Sequence, residues 1–385
     1  MKISLTAFTD WGEALAVRIT KQLNNDGEQA KFVRCGKRHM SADSEPACPD
    51  DGGLRPLEPD TYVRAADWTS KEFGRSDALI FVGAAGIAVR SIAPHIVSKT
   101  TDPAVVVIDE AGRFVIPILS GHLGGANALA LCLASITGGQ AVVTTATDVN
   151  GVFAFDDWAR RMNCTVENVD LIKEVSGTLL GGGIVPICSD FEISGEVPRG
   201  VELSSYAESS VCVTIRDEAC VGERKMRIIP RAVCVGIGCR WGTPAEEIED
   251  AVMEALRENG ISPKALCALA SIDLKAEEGG IKELSRKYKV PFLTYSAEEL
   301  RKVPGEFTGS EFVLSVTGVD NVCERAAVRA ASWSAPPCGA ECSPAVESDR
   351  GSMAYHYCEL ICRKRAKDGV TVALARRTAD LNWKL

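Results

Sequence analysis

The chain has no long apolar run, no Cys-x-x-Cys and none of the common nucleotide-binding fingerprints. No run approaches the roughly 20 apolar residues of a membrane-spanning helix. Met1–Thr9 reads as a short strand, without the apolar centre of a secretory leader. A cytoplasmic protein with no membrane partner is therefore expected. Basic charge is in deficit, with 43 Lys and Arg against 52 Asp and Glu and a net charge of −9. No basic stripe compensates, which argues against nucleic acid as the main partner. Gly181-Gly182-Gly183 is not followed by Gly-Lys-Ser/Thr, and Gly236-x-Gly238 lacks its third glycine. Gly-x-Ser-x-Gly is absent, which removes the usual nucleophile elbow.

Cysteine is not scarce, at 15 residues, but its placement is uninformative for metal. Cys132, Cys212, Cys234 and Cys267 sit in apolar runs, where a reduced thiol packs as a small hydrophobe. The close pairs Cys234/Cys239, Cys338/Cys342 and Cys358/Cys362 lack further ligands at zinc spacing, so no protein-bound metal is expected.

What is present is alternation of short β-branched runs with helical patterns, the signature of βαβ units. The 385 residues exceed one ordinary core. The expected fold is multi-domain α/β. N-terminal (1–139) and C-terminal (229–385) α/β domains, with mostly parallel sheets, would flank a smaller middle domain (140–228). Strands are expected at Ala78–Val82, Ala104–Ile108, Phe114–Leu119, Gln140–Asp148 and Phe312–Val316, among others. Thr9 and Ser120 are expected N-caps, the second for a helix starting near His122. Thr243-Pro244, with Glu246 three residues after the threonine, reads as another helix start. Gly36–Pro59 is a polar loop, and Asp60 would cap a helix to Gly74 carrying Tyr62, Ala65, Ala66 and Trp68. Asp368-Gly369 is a hairpin turn, and Ser332–Arg350 is an insertion.

Candidate site residues cluster between Gly83 and Asn127. In open α/β sheets ligands bind beyond the carboxyl ends of strands. The segment SGHLGGAN would place glycines and bare amides there, suited to an anion or oxyanion. His122 stands between glycines, where packing does not demand an imidazole, and its ordinary pKa suits proton transfer. Of the other histidines, His39 and His356 lie in polar contexts and His95 follows Pro94. Arg90 is a candidate carboxylate clamp. Asp102 and Asp148 are candidate partners of His122. Asn127 and Thr145 are candidate ligand contacts, and so are Arg240, Lys275 and Glu324 in the second half.

Taken together, GAAGIAVR, IAPH, DPAVVVID, SGHLGGAN and TTATD resemble the CbiG family, the cobalt-precorrin-5A hydrolases of anaerobic cobalamin biosynthesis. VGIGCRWGTP, LASIDLK, PFLTYSAEEL, FVLSVTGVDNVCERAA and DGVTVALAR resemble its C-terminal half, in the family's order. Arg325 stands where the family would have proline, and Gly36–Pro59 and Ser332–Arg350 look enlarged. The resemblance implies opening of a corrinoid δ-lactone by water, release of the C20 two-carbon unit as acetaldehyde, and cobalt-precorrin-5B as product. The substrate would be an anionic cobalt corrinoid, with cobalt carried by it and no cofactor held by the protein. Other cobalamin-pathway enzymes and a second copy of the chain are possible partners. On this reading His122 activates water and Asp102 or Asp148 orients it. Gly121, Leu123, Gly124 and Gly125 line the substrate, the amides from Leu123 to Gly125 holding the oxyanion, while Arg90 binds a carboxylate arm. The alternative is a non-catalytic tetrapyrrole carrier.

Overall fold

In a computed structural model, residues 1–36, 63–217, 224–332 and 358–384 are described. His39, His356, Tyr62, the Asp60 cap, Cys338/Cys342 and nearly all of the two expected insertions lie outside them. The described residues divide into two compact units, Met1–Val152 and those from Phe153 onward.

The first unit is a doubly covered sheet. Its elements are β1 (Lys2–Ala7), α1 (Asp10–Asn25), β2 (Gln29–Arg34), α2 (Ala65–Glu72), β3 (Ala78–Val82), α3 (Ala85–Ile92), β4 (Ala104–Ile108), β5 (Phe114–Leu119), α4 (Ala126–Thr137), β6 (Gln140–Ala141) and α5 (Ala146–Val149). The sheet order is β2-β1-β3-β4-β5-β6. The first four strands are parallel, β5 runs antiparallel to β4, and β6 follows β5 in parallel. Every residue of β3 and β4 is buried, as expected of strands with helices on both faces. α1 and α4 pack on one face through Leu15, Ile19, Leu129 and Leu133. α2 and α3 cover the other through Trp68, Ala88 and Ile92. Thr9 caps α1, accepting from Gly12 N at 3.2 Å.

The second unit carries two main sheets. α6 (Phe155–Arg161), β7 (Cys164–Glu167), α7 (Ile172–Leu180), β8 (Val185–Ser189), β9 (Ile193–Ser194), β10 (Val201–Leu203), β11 (Val211–Val213) and β12 (Met226–Pro230) come first. Their sheet has the order β10-β8-β11-β12-β7, antiparallel only at β7. Then follow β13 (Val233–Gly238), α8 (Ala245–Glu258), β14 (Leu266–Ile272), α9 (Gly279–Tyr288), β15 (Phe292–Tyr295), α10 (Ala297–Lys302), α11 (Glu311–Thr317), α12 (Cys323–Ala331), β16 (Glu359–Lys367), β17 (Val370–Arg376) and β18 (Leu381–Asn382). The order here is β15-β14-β13-β17-β16, with α8 and α9 on one face and α10 and α12 on the other. β16 and β17 form the expected hairpin, with Asp368 and Gly369 both at positive φ. The tail returns to the middle segment. β18 pairs with β9, Trp383 stacks on Trp158 at 5.3 Å, and Trp158 Nε1 donates to Asn382 O at 2.7 Å.

Four expected elements differ. Gln140–Asp148 is a strand for only two residues and ends in the single turn α5. Its neighbour β5 contains Pro117, which brings no N–H to a ladder. Phe312–Val316 is helical, because Ser310 caps it and Gly318 closes it at φ +74. Phe312 consequently stands 76% exposed. The helix expected from Asp60 to Gly74 spans only Ala65–Glu72 among described residues. Finally, α8 starts one residue late, with Pro244 at the cap position, while Thr243 Oγ1 turns back to donate to Arg240 O.

Candidate functional site

The turn from Ser120 to Gly125 sets up the best-formed polar cluster of the first unit. β5 is reversed relative to β4, so Ser120 emerges beside the start of β4, at the end opposite the carboxyl termini of β1, β3 and β4. Ser120 takes φ +56, and its Oγ donates to Asp102 O at 3.0 Å. It is therefore not the N-cap expected of it. α4 begins at Ala126, capped by Gly125 at φ +82, a conformation glycine adopts without penalty. The turn is too tight for side chains at two further glycines. A Cβ on Gly124 would lie 2.3 Å from Ser120 Cβ, and one on Gly121 2.8 Å from Asn127 Oδ1.

This winding consumes the amides expected to bind an anion. Gly125 N donates to His122 O, Ala126 N to Ser120 O and Asn127 N to Gly121 O, at 2.9–3.1 Å. Gly125 is thus corrected as an oxyanion donor, since its N–H closes the turn. Among described residues, only Leu123 and Gly124 of the three retain N–H groups without a hydrogen bond.

α5 supplies the partners. As a strand, TTATD would put Thr145 and Asp148 on opposite faces. As a helical turn it brings residues i and i+3 to one side. Asp148 Oδ2 lies 2.8 Å from His122 Nε2. Asn127 Nδ2 donates to Asp148 Oδ2 at 3.1 Å and to Thr145 Oγ1 at 3.0 Å. Thr147 Oγ1, which sequence reasoning missed, is 3.5 Å from His122 Nε2. The His122 side chain is 11% exposed and Asp148 40%. An ionised carboxylate only accepts, so Nε2 carries the hydrogen and Nδ1 the lone pair. The arrangement can take a proton at Nδ1 and stabilise the resulting imidazolium through Asp148.

Other expected residues are elsewhere. Asp102 does not orient His122. Its carboxylate accepts from Val97 N and Ser98 N at 3.0–3.2 Å, capping its own loop. Arg90 is exposed on α3, across the sheet from α4, with its guanidinium reaching back over Gly86. In the second unit, Glu324 is fully buried and saturated by Thr308 N, Thr308 Oγ1 and Lys364 N at 2.7–2.9 Å, so it cannot meet substrate. Arg240 and Lys275 do stand at strand exits, after β13 and β14. Lys275 Nζ lies over the Trp241 ring at 5.3 Å and pairs with Glu278 at 3.1 Å. Glu278 also accepts from Gly242 N, which holds the loop. Burial pushes the neighbouring Cys239 thiol up, away from nucleophilic use.

The class this defines is a multi-domain α/β protein with a histidine–carboxylate couple on a glycine turn. The chain matches the family description "Cobalamin synthesis G N-terminal" over residues 67–148 and "Cobalamin synthesis G C-terminus" over residues 233–375. It is 35% identical over 337 residues to the cobalt-precorrin-5A hydrolase of Salmonella typhimurium, covering 84% of this chain and 90% of that one. It is 33% identical over 270 residues to the hydrolase of the same name from Priestia megaterium, covering 65% and 71%. A crystal structure of a cobalamin biosynthesis protein G homolog from Sulfolobus solfataricus is similar over 97% of both chains, at 21% identity and a TM-score of 0.38. The chain belongs to the CbiG family, as its motifs led one to expect. Both family matches include a segment singled out above: His122 to Asp148 in the first, Arg240 and Lys275 in the second.

Proposed function

We propose that this chain is a cobalt-precorrin-5A hydrolase with its general base in the first unit. It opens the δ-lactone of the corrinoid with water and releases the C20 two-carbon unit as acetaldehyde, giving cobalt-precorrin-5B. The support for the reaction is the likeness to hydrolases of that name over most of the chain. The support for the site is one observation: the 2.8 Å contact of His122 Nε2 with Asp148 joins two family motifs 26 residues apart.

His122 Nδ1 takes a proton from water as the oxygen adds to the lactone carbonyl. Asp148 holds the ring and steadies the imidazolium, and Asn127 fixes Asp148. The N–H groups of Leu123 and Gly124 face the charge that develops on the carbonyl oxygen. Collapse of the tetrahedral adduct breaks the ring C–O bond, and imidazolium returns its proton to the leaving oxygen. The macrocycle, with the cobalt it carries, accepts the electrons of the later carbon–carbon cleavage. The residues named here move protons and position the substrate, and no resident cofactor is required of the protein. Arg90, exposed on α3, is available to a carboxylate arm.

Anaerobic incubation with cobalt-precorrin-5A tests the reading. The expected result is acetaldehyde together with loss of two carbons from the macrocycle. Tight binding of the corrinoid without acetaldehyde would replace it with a carrier.

A further inference from the structure

The end of the C-terminal sheet where β13 and β14 begin gathers groups that the hydrolysis does not use. β14 carries a bulge opposite β13: Val233 pairs with Leu266, but Cys234 pairs with Ala268. Cys267 is the inserted residue. A bulge of this kind places two consecutive side chains on one face, and Cys267 duly packs with Ala268 against the α12 face while Leu266 joins the other core. Cys234 lies on that same α12 face, so the two thiols are neighbours across adjacent strands. Arg377, tied down by its N–H to Ala232 O at 2.9 Å, donates from Nη1 to Cys267 Sγ at 3.7 Å. Arg377 also lines a cavity of about 710 Å³ together with Cys358 and Arg376. The carboxylates Asp190, Glu192, Glu359 and Asp380 line that cavity too.

We propose that Cys267 and Cys234 form a reversible dithiol–disulfide site, with Cys267 the thiolate that reacts with hydroperoxides. The Cys267 sulfur attacks one peroxide oxygen and the O–O bond breaks. Hydroxide leaves, takes up a proton as water, and Cys267 becomes a sulfenic acid. Cys234 then attacks that sulfur, the S–O bond breaks, and the second water leaves with the Cys234 proton. One peroxide is reduced to two waters as two thiols become one disulfide. Neighbouring strands run about 4.8 Å apart, inside the Cα separations of about 4.4–6.8 Å that a disulfide spans.

The electrostatics agree. Cys234, Arg377 and Arg231 lie near Cys267. Together they bring the Cys267 thiol down against the opposing push of burial. Cys132, exposed on α4, is instead pushed up. Charge rather than exposure therefore selects the reactive thiol.

Limited iodoacetamide labelling of the whole protein, read by peptide mass spectrometry, tests this. At pH 6.5 Cys267 should label roughly tenfold faster than Cys132, allowing for the lower intrinsic nucleophilicity of a low-pKa thiolate. Its rate should reach half-maximum at a lower pH than that of Cys132, and Arg377→Gln should move that point upward. Stoichiometric hydrogen peroxide should give a Cys234–Cys267 bridge that dithiothreitol reverses. In Cys234→Ser it should give a dimedone adduct on Cys267. Faster labelling of Cys132, or peroxide leaving Cys267 unmodified in the unaltered protein, overturns the proposal. A Cys267–Cys358 bridge overturns the pairing.

Discussion

At His122 the deciding contact is with Asp148, because a carboxylate 2.8 Å from Nε2 orients the ring and favours a hydrogen on that nitrogen. His122→Gln should keep the far-ultraviolet circular dichroism of the native protein and lose about 10²- to 10⁴-fold in acetaldehyde release. Asp148→Asn should lower turnover less, since the imidazole stays but loses its orienting charge. Turnover within a few-fold of native in His122→Gln would remove the residue from the mechanism. The carboxylates behave differently. Asp102 and Glu324 spend their acceptors on backbone N–H groups. Asp102→Asn should cost about 1–3 kcal/mol of stability in urea unfolding and leave KM unchanged. Nothing in the sequence distinguishes a carboxylate facing substrate from one facing its own loop, because the difference lies in which N–H groups the folded chain brings near it.

The element that matters most is the Ser120–Gly125 turn. Its glycines were read from the sequence as room for a ligand. The structure assigns two of them to the fit of Ser120 and Asn127. Gly124→Ala forces a displacement of the turn and should lower both Tm and turnover. A variant that keeps its native Tm and full turnover would show that the turn yields without moving His122. The α5 turn carries the opposite lesson. TTATD was read as a candidate ligand-facing segment under the wrong secondary structure, since a threonine-rich run favours a strand by propensity. Helical winding is what lets Thr145 and Asp148 converge on Asn127. α11 was misread for the same reason. Its apolar run outweighed the Ser310 cap and the Gly318 stop.

For the molecule as a whole, α/β layering followed directly from alternating strands and helices; two of the three main sheets are mostly parallel, and the third divides its four pairings evenly. The tail was not anticipated. Trp383 closes an aromatic cluster with Phe153 and Trp158 within the second unit. Trp383→Ala should cost about 3–5 kcal/mol, seen as a lower denaturant midpoint of that unit. An unchanged midpoint would show the tail to be ornamental.

Local patterning was enough to place most helices and strands and the buried runs of β3 and β4, and the motifs carried the family. These depend on neighbours along the chain, where side-chain period and caps act over a few residues. Only the tertiary structure decided that β5 reverses, that Asp148 rather than Asp102 meets the imidazole, and that a bulge turns Cys267 toward Cys234. Each of these joins residues distant in sequence, and strand direction and register determine which of them come within hydrogen-bond reach.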